Sequence, residues 1–237
     1  MKKSLFVFVV VSLLLFTACT RNIDPDENII GLTYYPVRVG DTLLYEVARV
    51  NHFELTPDEY LNYQLREIIT SSFTDESGNI SFVAEKYTKL PTSEDWVQED
   101  NVVIRPSLTQ IVRVEDNTPY VKLSFPIAAG RTWDGNAFNT LGSDEYKFQN
   151  VNKPFSTSLN TFPATVSVLQ ANEKNILFKD YRIEVFAKDI GMVYKKNEVY
   201  SYINRATDNF GVPNPYYGID SIIAGTYIEQ KLISKTP

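Results

Sequence analysis

Cysteine occurs once in these 237 residues and histidine once, and the two scarcities exclude a good deal of chemistry. A lone cysteine closes no disulfide within the chain, so the fold must rest on its core. Zinc sites normally recruit several Cys or His ligands, and His52 would stand alone. A Ser-His-Asp arrangement would need His52 as its base, yet no Gly-x-Ser-x-Gly nucleophile turn occurs. Phosphate loops and dinucleotide fingerprints are missing, and no motif calls for a cofactor or a metal. Positive charge is also short. Of 23 basic residues two, Lys2 and Lys3, lie in the first segment, and the remaining 21 face 29 acidic ones, a formal charge of −8. Phosphate contacts need Lys and Arg, so this balance argues against nucleic acid as a partner. It also leaves no polybasic patch to assist attachment to a membrane.

Lys2-Lys3 precede an apolar run from Leu5 to Phe16, followed by Thr17-Ala18-Cys19. A basic start, a short hydrophobic segment and a small residue before the cut read as an export signal. The run is too short to cross a bilayer comfortably as a mature helix. Phe16-Thr17-Ala18-Cys19 resembles a bacterial lipoprotein processing box, with Phe where Leu is commoner. That resemblance implies cleavage before Cys19, lipid on its thiol and amine, and a globular body held at a membrane. The competing reading is an ordinary secretory signal with a stray cysteine. Residues 1–18 are therefore expected to be signal peptide, 19–29 a lipidated flexible tether, and 30–237 one β-rich domain. Asp24, Asp26 and Glu27 faintly resemble the surface-export tags of some Bacteroidetes lipoproteins, the alternative being a solvated linker. The expected location is the outer membrane, facing the periplasm or the cell surface.

Tyr and Phe together supply 29 residues, enough aromatic surface for a substantial core. Their abundance, with Val, Ile and Thr, favours strands. Leu32–Tyr35 and Leu43–Val50 read as strands separated by a turn at Val39-Gly40-Asp41. Thr56-Pro57-Asp58-Glu59 has the form of a capping box, so a short helix within 57–70 competes with a hairpin strand reaching Phe73. Asp75-Glu76-Ser77-Gly78-Asn79 is a turn. Further strands are expected at 80–87, 96–104, 110–115, 120–125, 144–151, 164–170, 178–187, 191–204 and 221–232. Short antiparallel strands with turn residues between them point to an all-β, single curved domain, a closed or half-open barrel.

Three stretches carry a wider resemblance. They are Tyr34-Tyr35-Pro36-Val37-Arg38-Val39-Gly40-Asp41-Thr42-Leu43-Leu44-Tyr45, Leu123–Asn136 with Gly130 and Trp133, and Glu184–Lys196 with Gly191 and Tyr194. In order and spacing these resemble a Bacteroidetes lipoprotein family of unassigned function. Leu43 stands where that family more often has Trp, and Lys196 where it has Glu. The resemblance implies a curved antiparallel β-domain and carries over no catalytic residue.

Candidate binding residues are Trp133, Tyr194, Phe210, Tyr216 and Tyr217. Trp133 and Tyr194 either line a ligand cavity or belong to a packed aromatic core. Gly191 reads as a bulge or a close backbone approach. Phe210-Gly211-Val212-Pro213-Asn214-Pro215-Tyr216-Tyr217 is a stiff loop that either presents aromatic rings to a sugar or partner protein or caps the open end of a barrel. Catalysis, if any, would use paired carboxylates, with Asp134 facing Asp144 or Glu145. Asp41-Thr42-Leu43 and Asp220-Ser221-Ile222 resemble O-glycosylation sites of exported Bacteroidetes proteins. The reading that follows is a cell-envelope lipoprotein with a non-catalytic binding or scaffolding role. Its partners would be the membrane through Cys19 and an envelope protein, glycan or lipid. The alternatives are a carrier of an apolar ligand, which needs an apolar void of about 300 Å³ or more, and a glycan hydrolase.

Overall fold

The computed structural model describes residues 30–76, 78–207 and 210–237; the signal, Cys19 and the acidic residues behind it lie outside them. A three-residue 3-10 turn at Leu32–Tyr34 precedes twelve strands. These are β1 (Thr42–His52), β2 (Glu59–Thr74), β3 (Ile80–Lys89), β4 (Val97–Pro106), β5 (Gln110–Glu115) and β6 (Thr118–Ser124). Then follow β7 (Thr132–Asp134), β8 (Glu145–Ser156), β9 (Thr161–Lys174), β10 (Phe178–Ala187), β11 (Gly191–Tyr202) and β12 (Ile222–Thr236). All belong to one antiparallel sheet in the order β6-β5-β4-β3-β2-β1-β12-β11-β10-β9-β8-β7. Two meanders thus run outward from the central β1–β12 pair.

The sheet curls until its two ends meet. The backbone N–H of Val121 on β6 donates to the carbonyl of Gly135 just after β7, at 2.9 Å. The side chain of Asn139 donates to the carbonyl of Pro119, also at 2.9 Å. The result is a nearly closed barrel. Register shifts in most of the strand pairs supply the bends that such curling needs. The strongest lies in β8, where Asn150 and Asn152 both adopt positive φ and the register with β9 jumps from Gln149 to Lys153.

Alternation decides what fills the barrel. Leu65 and Ile69 of β2, Ala84 of β3, Val102 and Ile104 of β4, and Ile111 of β5 are buried. All but Leu65, which packs in a second cluster with Leu43 and Tyr45, meet Phe148 of β8, Val166 and Val168 of β9 and Phe186 of β10, coming from the other half of the sheet.

One expectation fails, and one open alternative is decided in favour of the hairpin strand. Leu32–Tyr35 is a 3-10 turn, not a strand. Tyr34 is buried among core residues and its hydroxyl donates to Asn152 at the β8 bend, at 2.5 Å. The turn thereby closes one end of the barrel instead of extending the sheet. The short helix within 57–70 is absent: β2 begins at Glu59 and pairs with β1 from Asn51↔Glu59 to Thr42↔Ile68. The capping-box residues serve a hairpin instead. Asp58 hydrogen-bonds His52 at 2.8 Å and accepts from the N–H of Phe53 at 3.4 Å. Ladder bonds on both sides of β2 outweigh a local helix signal. Gly191 opens β11 at φ +108, directly after the turn and opposite Ala187, while the bulge falls beside it, where Val185 pairs with Tyr194 and Phe186 with Met192.

Candidate functional site

The alternation that buries Leu65 and Ile69 also carries Glu67 into the barrel. By the same rule Arg113 follows Ile111 inward, and Glu184 precedes Phe186. These charges meet. The Arg113 guanidinium forks onto Glu67, with Nη1 donating to Oε1 at 2.9 Å and Nη2 to Oε2. Its Nε donates to Glu115, and Nη1 also reaches the hydroxyl of Tyr35 at 3.0 Å. Across the barrel, Lys122 of β6 donates to Oε1 of Glu184 on β10 at 2.6 Å. Glu184 is 1% exposed, and its other oxygen, Oε2, has no hydrogen-bond partner.

These groups line a cavity of about 70 Å³, together with Lys86, Lys195 and Gln230. Burial disfavours charge on Arg113, but Glu67 and Glu115 outweigh it and hold the guanidinium firmly protonated. Burial would likewise raise the carboxyl of Glu115; Arg113 and Lys122 overcome this and hold it far below the usual range. Lys122 is pushed above its ordinary value, because Glu184 more than offsets its burial. Lys195 moves the other way. Burial lowers it, and Glu115 and Glu184 compensate only in part.

A second concavity lies on the outer face. Cross-strand partners share a face, so the pairs Tyr181↔Glu198, Ile183↔Lys196 and Val185↔Tyr194, continued by Lys196↔Glu229 and Tyr194↔Lys231, form one outward surface. With Phe155 and Ser156 of β8 and Thr157 and Ser158 just beyond, it makes an open groove of about 710 Å³. Phe155 and Tyr194 stack in a tilted pair with ring centres 5.2 Å apart. The Tyr194 hydroxyl donates to Glu229 at 2.9 Å, and Lys231 pairs with the same carboxylate at 2.9 Å. Glu198 is held by Lys179 at 2.5 Å and by Lys196 at 3.1 Å. Burial, then the Glu229 carboxylate, pushes the Tyr194 hydroxyl well up.

The other expected site residues are scattered. Trp133 is half-buried where the barrel closes, packed on Phe148 at 4.4 Å and edge-on to Tyr146 at 6.0 Å. Its ring N–H donates to the carbonyl of Val121 at 2.8 Å. Phe210, Tyr216 and Tyr217 sit in the β11–β12 connection, and Phe210 is 91% exposed, so its ring projects away from the core. Trp133, Tyr194 and this loop form no common site.

Asp134 and Glu145 do face each other across the β7–β8 pair. Yet one oxygen of Asp134 accepts the backbone N–H groups of Asn136 and Asp144, both at 2.9 Å. Those two bonds hold its carboxyl below the usual value. Asp144 is bound by Arg182 at 2.8 and 3.2 Å. Asp134 thus closes a turn and Asp144 an ion pair; a glycosidase acid must keep its proton near neutral pH, and the lowered carboxyl of Asp134 runs against that role. Among the described residues, no group of three His, Cys, Asp or Glu side chains is placed to hold a metal ion.

No protein-family model matches the chain, and no curated protein matches it either. Two solved structures are similar over 86% of this chain and 98% of their own. One, from Bacteroides fragilis, is described as an exported protein with a YmcC-like fold and superposes with a TM-score of 0.46 at 12% identity. The other, from Parabacteroides distasonis, is described as a lipoprotein, with a TM-score of 0.44 at 10% identity.

Proposed function

We propose that this protein is an exported envelope lipoprotein, anchored through Cys19, that binds a polar ligand of oligosaccharide type on its outer sheet face without transforming it. The observation that carries this reading is the groove between Phe155 and Lys231. Its volume of about 710 Å³ suits a small-molecule ligand, for which ~300–1,000 Å³ is usual. Two stacked rings offer flat apolar faces, while Lys179, Lys196, Lys231, Ser156, Thr157 and Asn172 offer hydrogen bonds. Sugars present that combination of apolar faces and hydroxyl edges. Both carboxylates of the groove, Glu198 and Glu229, are ion-paired with lysines and held ionised, which supports binding over acid catalysis.

The apolar-carrier reading finds less support, since the interior cavity is small and lined by charges. The signal and processing box support export and anchorage. Titrating the soluble body, residues 30–237, against envelope polysaccharide fragments and oligosaccharides tests the proposal. Saturable binding without product, weakened about tenfold or more by Tyr194→Ala through loss of a stacking face, is the expected result. Absence of any binding, or release of product sugars, overturns it.

A further inference from the structure

The interior cavity and the outer groove share no residue, and the cavity has a charge imbalance of its own. Four cations line it, Lys86, Arg113, Lys122 and Lys195, and four carboxylates, Asp41, Glu67, Glu115 and Glu184. Asp41 is neutralised from outside the cavity by Lys235 at 2.9 Å. Arg113 is taken up by Glu67 and Glu115, and Lys122 by Glu184. The ammonium groups of Lys86 and Lys195 have no hydrogen bond or ion pair among the described residues, and one positive charge is left over. Both ammonium groups are only partly buried, and a surplus positive charge at the mouth of a cavity walled by protein favours an anion there. On the same wall, Oε2 of the fully buried Glu184 lacks a donor.

We propose that the cavity binds a small hydroxycarboxylate, whose carboxylate sits between Lys86 and Lys195 and whose hydroxyl donates to Oε2 of Glu184. Size limits the ligand. At ~10–15 Å³ of such space per water-sized group, a cavity of about 70 Å³ holds about five non-hydrogen atoms. Glycolate fits that description, and a fatty acid does not. Lys86, Lys195 and Glu115 are only partly buried, so the ligand enters past them, while Glu184 and Lys122 form the closed wall. The depressed affinity of Lys195 for its proton agrees with an ammonium that lacks the anion it is built to meet.

The test is calorimetric titration of the soluble body with glycolate, acetate and glycolamide. Glycolate is expected to bind with a Kd of about 1 mM or tighter. Acetate, which has no donor for Glu184, binds more weakly, and uncharged glycolamide does not bind. Lys195→Met raises the glycolate Kd about tenfold or more, as loss of a charge-assisted hydrogen bond requires. Lys147→Met, at an exposed position on β8, leaves it unchanged. Glycolamide binding as well as glycolate, or glycolate binding equally to the Lys195→Met protein, overturns the proposal. Should that variant fail to fold, lysine acylation of the unaltered protein followed by mass spectrometry decides. Glycolate is expected to protect Lys86 and Lys195 selectively, and equal labelling with and without it defeats the assignment. Oligosaccharide binding at the outer groove is read separately, so the two proposals fail independently.

Discussion

The ring N–H of Trp133 donates to the carbonyl of Val121 at 2.8 Å, while the N–H of Val121 donates to Gly135 at 2.9 Å. Both backbone groups of one β6 residue are therefore held by the segment at the opposite end of the sheet. The barrel closes through a few such bonds, not through a full ladder.

Trp133→Phe keeps an aromatic ring against Phe148 but removes the donor along with part of the indole. The expected loss is about 1–2 kcal/mol by urea unfolding, the cost of a bond whose buried acceptor stays behind. Hydrogen exchange at the Val121 N–H should quicken by more than at the Val168 N–H in the barrel wall. Equal exchange at both positions would show that this contact does not hold the seam.

Lys122→Met leaves Glu184 charged and unpaired inside the barrel. Such half-removal of a buried pair costs ~3–5 kcal/mol. The double variant Lys122→Met/Glu184→Leu should recover most of that loss, because no charge is stranded. Equal instability of single and double variants would contradict the pairing.

Acid should unfold the domain in a defined window. Glu115, Glu198 and Glu229 all have folded-state affinities for the proton below their ordinary value of 4.5. A carboxyl shifted in that direction stabilises the fold fully above its unfolded value and loses that contribution as the pH falls toward the folded one. The urea midpoint should therefore stay level from neutrality to about pH 5 and decline below about 4.5. A midpoint still level at about pH 3 would refute this.

Gly225 of β12 sits at φ +140, and an added Cβ would lie 2.1 Å from the carbonyl oxygen of Val199. That oxygen belongs to the neighbouring backbone and cannot swing aside. Gly225→Ala is expected to cost about 2 kcal/mol or more, in the upper part of the ~1–3 kcal/mol usual for overpacking. A thermal midpoint within about 2 °C of the parent, less than 1 kcal/mol at this size, would mean that β11 and β12 part more easily than their register implies.

Cys19→Ala tests anchorage. An altered protein whose signal has been removed should leave the membrane fraction, whereas one that keeps the apolar run Leu5–Phe16 stays with it for that reason alone. A cleaved Cys19→Ala protein that remains with membranes would remove the lipid from the account.

Much of the architecture was legible because strands announce themselves by alternation and turns. Gln110–Glu115 and Phe178–Ala187 have the bounds expected for them. The three-residue β7 was missed, since Thr132–Asp134 is too short to show a period. Tyr34 was misplaced because its burial depends on Asn152, 118 residues away. The interior charges had a signal that went unread: Arg113 and Glu115 are in phase with buried Ile111, and Glu184 with buried Phe186. A charge on the inner face of a strand asks for a partner, but which strand supplies it depends on the curl of the whole sheet. Tyr194 was singled out from its motif, yet its outward direction follows from the bulge beside it.

Thr42 of β1 faces Thr236 of β12, so the chain enters and leaves the sheet at one pole. The β1–β2 turn and the loop bearing Phe210 lie at the other, an eleven-residue strand away, or about 35 Å at ~3.3 Å per residue. A lipid on Cys19 would hold the first pole toward the bilayer. The headgroup field decays over a screening length of ~8 Å in physiological salt, far less than that distance. With that pole toward the bilayer, the exposed side chains of Phe210 and Leu55 stand beyond the reach of the headgroup field, and a change of lipid composition beneath the domain should leave their surroundings untouched.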